Sequence, residues 1–103
     1  MRWFIDRLRR RPPPPDPFEV LRVQMRLAVL ADEVRALERS PDVYARGHHL
    51  AATEAAYDAM LIEACRLAGV PTTAQPGRVS TIVQDKQERF REEVELAARG
   101  WSW

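Results

Sequence analysis

Between Pro17 and Arg39 the apolar residues Val20, Val23, Leu27, Leu30, Val34 and Leu37 recur at alternating intervals of three and four. That spacing lines them up on one side of an α-helix as a seam for helix-on-helix packing, and it conflicts with the two-residue period of a half-buried strand. A helix of this kind needs a second helix to cover its seam. The opposite side is not fully polar. Phe18, Leu21, Met25, Ala28 and Val29 form a second apolar stripe over the N-terminal half, ending at Asp32. A helix that is apolar on two faces sits between two partners. One face serves the chain's own bundle. The other, with Phe18, Leu21, Met25 and Val29 as its contact residues, is expected to form an interface with another chain.

The next helix follows almost at once. In Glu38-Arg39-Ser40-Pro41-Asp42, Ser40 suits an N-cap, Pro41 the first helical position and Asp42 the positive helix end. Helices over about 17–39 and 41–68 are therefore expected, and so short a link favours an antiparallel hairpin. Gly69 reads as a left-handed residue just past the second helix, with Pro71 beyond it. Val43, Leu50, Tyr57, Leu61, Ala64 and Ala68 line the expected core face of this helix. Gly47 and Glu54 fall on or beside that stripe, and Gly47 suggests close backbone contact or a bend.

Residues 70–77 read as loop. A third helix over about 78–99 is expected to begin between Gly77 and Thr81, where Thr81 and Gln84 match a capping box. Its apolar face is Val79, Val83, Phe90, Val94 and Ala97. After Gly100, Trp101-Ser102-Trp103 form an aromatic tail (100–103) continuing that face. With no strand signal and no repeat, the fold expected is all-α. It is a three-helix body, with a long antiparallel hairpin and a third helix packed across it, dimerising into a larger bundle.

Ahead of this domain (18–103), residues 12–17 read Pro-Pro-Pro-Pro-Asp-Pro. Proline fixes φ and lacks an N–H, so the stretch is expected to be a semi-rigid polyproline II spacer. It sets apart a basic tip, residues 1–11, with five arginines against Asp6. On a helical wheel Met1, Phe4, Ile5 and Leu8 share an arc, and arginines take most of the rest. Trp3, Phe4, Ile5, Leu8, Arg9, Arg10 and Arg11 are the expected N-terminal docking residues. They suit a partner's groove, or weak contact with an anionic membrane surface. The remainder of the chain is mildly acidic and offers no basic face, so dedicated nucleic-acid binding is not expected.

The chain's 103 residues allow one domain. A single Cys excludes an internal disulfide, and no apolar run approaches the roughly 20 residues of a membrane span. The N-terminal arginines lead into prolines, without the apolar core of a secretory leader. Fifteen arginines to one lysine, with no Asn, is a bias that fits a GC-rich bacterial genome. A cytoplasmic protein is expected, with the inner membrane face as a peripheral location.

Residues with chemistry are few. His48 and His49 are adjacent, so they point about 100° apart, and neither has a ligand one turn on. Cys65 lies on the core side of the second helix, far from both histidines, where a lone Cys is usually a small hydrophobe. Glu54 and Tyr57 are candidates for a buried polar site, since a carboxylate on an apolar stripe needs a partner or a raised pKa. No catalytic constellation, cofactor motif or metal-ligand set is found. The expectation is a non-catalytic interaction or assembly protein, a homodimer or a small subunit of a larger assembly. A membrane-surface adaptor using residues 1–11, and a small ligand-binding or enzymatic bundle centred on Glu54, are the alternatives.

Overall fold

The computed structural model describes residues 14–73 and 85–103, with the side chains of all but 43–45. The tip (1–11), the first prolines of the spacer, the Val43 side chain and the Thr81–Gln84 box with Val79 and Val83 lie outside what is described. Among the described residues there are three helices, α1 (Pro17–Glu38), α2 (Val43–Ala68) and α3 (Lys86–Ala98), and no strand.

α1 starts where the sequence changes from proline to apolar-periodic. Asp16 stays extended (φ −61°, ψ 124°) and its carboxylate accepts from the Phe18 N–H at 3.0 Å, while Pro17 occupies the first turn, where no N–H is needed. α2 begins two residues later than the Ser40–Pro41 signal suggests. The Ser40 N–H still donates to the Leu37 carbonyl (3.1 Å), so Ser40 belongs to the last turn of α1. The first bond of α2 runs from the Arg46 N–H to the Asp42 carbonyl at 2.9 Å.

α2 and α3 end in the same way. Gly69 and Gly100 take φ of 75° and 87°, a left-handed geometry that costs a residue with a Cβ about 1–2 kcal/mol. The chain then folds back so that the Val70 N–H reaches the Cys65 carbonyl (2.8 Å) and the Trp101 N–H reaches the Leu96 carbonyl (3.0 Å). Gly47 behaves otherwise. It is exposed within α2, and a Cβ there would meet nothing within 4 Å, so the expected close backbone contact is absent.

The core joins Val23, Leu27 and Leu30 of α1 to Tyr57, Leu61, Ala64 and Cys65 of α2, with Val70 and Leu96. The α1 seam is thus buried at its centre, and Val20, Val34 and Leu37 are half-buried at its ends. α1 packs on α2, and α3 packs on α2. Trp101 and Trp103 pack against the core, and the Ser102 N–H donates to Gln24 Oε1 of α1 at 3.0 Å.

α3 departs from expectation in both start and orientation. It starts at Lys86, capped by Asp85, whose extended backbone (ψ 136°) breaks any helix running on from residue 78. Asp85 Oδ1 accepts from the Gln87 N–H at 2.9 Å. The face turned inward is Arg89, Glu92, Glu93 and Leu96, whereas Phe90 (67% exposed), Val94 (49%) and Ala97 face outward. Leu96 is the one apolar side chain α3 buries fully, worth about 2 kcal/mol. Polar groups therefore decide its rotation, as the seam with α2 makes plain. Trp101 also leaves the Val94–Ala97 line, because the turn at Gly100 carries it back onto the core.

Candidate functional site

Two features of the described residues carry polar chemistry or open surface. The first is the seam between α2 and α3. Asp58 is 3% exposed, one turn beyond Glu54 and beside Tyr57 on the core side of α2. A carboxylate buried this deeply needs a cation, because an unpaired buried charge costs several kcal/mol. Arg89 supplies it at two points, Nε to Oδ1 at 2.6 Å and Nη2 to Oδ2 at 2.9 Å. Its Nη2 also lies 3.8 Å from Glu54 Oε2.

One turn along α3, Glu93 Oε2 accepts from the Tyr57 hydroxyl at 2.7 Å, and the Trp103 indole donates to that hydroxyl oxygen at 3.1 Å. Burial, and then the Glu93 carboxylate, hold the Tyr57 hydroxyl well above its usual pKa. It therefore stays protonated and serves as a relay between α3 and the C-terminal tail. A recess of about 250 Å³ opens beside this seam, lined among others by Arg35, Glu38, Glu54, Tyr57, Arg89 and Glu93. Its acidic groups outnumber its two arginines. Arg89 is held by Asp58, Arg35 by Asp32 and Tyr57 by Glu93, so each of these three groups at the recess already has a partner.

Glu54 and Tyr57, the polar pair expected on α2, both come to this seam, but each is held by α3 rather than by the other. Asp58, Arg89 and Glu93 were not expected there. A signal for them exists in the 3-4 spacing of Arg89, Glu92/Glu93 and Leu96, which is an inward stripe written mostly in charged residues. Glu92 is wholly buried on it, on the side facing Cys65. Burial, and next the Glu92 carboxylate, push the Cys65 thiol up to about 12, which leaves it an inert core group at neutral pH. His48 and His49 are exposed, with their rings edge to face at 5.9 Å.

The second feature is the outer face of α1. Phe18 is 81% exposed, Met25 62%, Val29 53% and Leu21 52%. With Met60 of α2 they line a shallow groove of about 490 Å³, edged by Arg22 and Arg26. Large apolar side chains set contiguously on one face, with charges only at the rim, are uncommon on monomer surfaces and mark contact sites. All four interface residues expected from the sequence lie on this face, and no described residue covers them.

Among the described residues no helix is long and apolar enough to cross a membrane. Nor does any group of three or more His, Cys, Asp or Glu among them stand ready for a metal ion. The chain matches no protein-family model, no curated protein and no solved structure with which it was compared.

Proposed function

We propose that this protein works by association, as a non-catalytic helical assembly protein that docks through the outer face of α1. The observation that carries this reading is the uncovered stripe of Phe18, Leu21, Met25 and Val29. In this reading α1 and α2 form an antiparallel hairpin that presents the stripe. The four-residue link at one end supports that geometry, and so does Arg66 of α2 lying 3.7 Å from Glu19 of α1 at the other.

Light scattering behind size exclusion, over a tenfold range of concentration, tests the reading. A mass near twice 11.9 kDa is expected, falling to 11.9 kDa in Phe18→Asp or Met25→Asp. Both side chains are largely exposed, so these variants should keep the helical signal and the melting temperature. A dimer that neither substitution disturbs overturns the reading.

The recess beside Glu54 supports a second reading, a small-ligand site for a cationic molecule. Glu54→Gln would then weaken binding of a small guanidinium or ammonium probe while leaving the fold intact. Unchanged binding, or none to the wild type, removes that reading.

A further inference from the structure

The charges along the open face of α1 are not evenly spread. Arg22 and Arg26 lie on one edge of the stripe in its N-terminal half, and Glu33 lies on the same edge in its C-terminal half, all exposed. Arg22 and Glu33 are eleven residues apart, which is three turns plus about 20°, so the two side chains leave the helix in nearly the same direction. The apolar positions show a matching order. Phe18 and Met25 lead the stripe and Val29 follows, and past Asp32 the exposed Ala36 falls five turns from Phe18 on the same line, so bulk decreases from one end to the other.

We infer that the occupant of this face is a second copy of the chain, its α1 running antiparallel about a two-fold axis level with Leu27. This rests on the docking role proposed above for the α1 face. Such an axis keeps each edge of the stripe facing the same edge of the other copy while reversing its direction. Arg22 then comes within one residue, about 1.5 Å along the axis, of the level of the partner's Glu33, and Glu33 likewise of the partner's Arg22. The same operation sets Met25 across from the partner's Val29, and Phe18 across from the partner's Ala36, a large ring against a methyl group. A two-fold contact of this kind is closed, since the same patch serves both chains.

Other arrangements fit these charges less well. A parallel two-fold pair turns the arginine edge towards the partner's opposite edge, where Leu21 and Ala28 flank the level of Arg22, so Arg22 meets no carboxylate there. The chain's own residues 1–11 would bring five more arginines to an edge that already holds Arg22 and Arg26. Asp32, on the opposite edge, keeps a partner within its own helix, Arg35 Nη1 at 3.2 Å.

The test is charge reversal read by sedimentation equilibrium on the full chain. Arg22→Glu alone, or Glu33→Arg alone, sets like charges together twice per dimer and should weaken self-association about tenfold. An equimolar mixture of the two variants restores opposite charges at both contacts. It should return to wild-type affinity, with the loss and the recovery both shrinking in high salt. Arg22→Glu retaining wild-type affinity, as a parallel pair would allow, overturns the antiparallel arrangement. If Phe18→Asp still gives a monomer in that case, the docking role of the face survives. A wild type that stays monomeric across the range overturns the second copy as occupant, and with it self-association through this face.

Discussion

Arg89 and Asp58 meet as a two-point ion pair across α2 and α3, with N–O distances of 2.6 and 2.9 Å and both side chains largely withdrawn from water. The pair fixes the rotation of α3 more than it adds cohesion, because desolvating two charges offsets most of their attraction. Removing one partner is another matter. Arg89→Met should cost about 3–5 kcal/mol, seen as a large fall in the urea midpoint, since it leaves Asp58 charged and buried. Asp58→Leu combined with Arg89→Met should recover most of the loss. If Arg89→Met alone is neutral, the pair is not what positions α3.

Three glycines should respond to alanine with two different signs. At Gly69 and Gly100 the backbone is left-handed and nothing crowds the site, so Gly→Ala should destabilise by about 1 kcal/mol through the backbone alone. Gly47 is an ordinary helical position with open space around it, and Gly47→Ala should stabilise by about 1 kcal/mol. Thermal melts of the three variants decide the matter.

Alkali should unfold the protein earlier than acid-stable helices of its size would suggest. Folding raises the pKa of Tyr57 above 10.0 and that of Cys65 from 9.0 to about 12, so the native state favours both protonated forms. Their contribution is complete below the ordinary values and is lost as pH rises from about 9 towards the folded-state pKa values. The slope approaches about 1.4 kcal/mol per pH unit for each group. Tyr57→Phe should flatten the upper part of this fall in pH-dependent denaturation, and an unchanged profile would remove Tyr57 from the account.

Trp103 should report on the tail. Trp103→Phe keeps the ring on the core but deletes the indole N–H that reaches Tyr57, a change worth about 1 kcal/mol. Amide exchange should then speed up over α3 and the tail while the α1–α2 core keeps its protection. Uniform acceleration across all three helices would mean that the tail has no separate role.

The parts legible in the sequence were those written in apolar period and cap chemistry. The α1 seam at Val23, Leu27 and Leu30 and the α2 face at Tyr57, Leu61 and Ala64 are buried as their spacing implies, and Gly69 ends α2 as its position implies. The open face of α1 was visible for the same reason. α3 was misread because apolar period is a guide only when burial is apolar. Phe90, Val94 and Ala97 made a tidy stripe, but Asp58, buried on α2, required a guanidinium. Arg89 could deliver it only with Phe90 turned to solvent. The start of α2 slipped because Ser40, a fair cap in isolation, is held by the preceding helix instead.

The polar seam of α3 has a last consequence, for how the molecule opens. Directional bonds lose their value abruptly once their geometry is lost, whereas apolar contacts fade with area. α3 has one fully buried apolar side chain, against the extensive seam that joins α1 to α2. It should therefore detach as a single cooperative unit, at a free energy well below that of global unfolding. The detached state would keep α1 packed on α2 while baring Asp58 and Cys65, making α3 and the tail the low-energy door into this core.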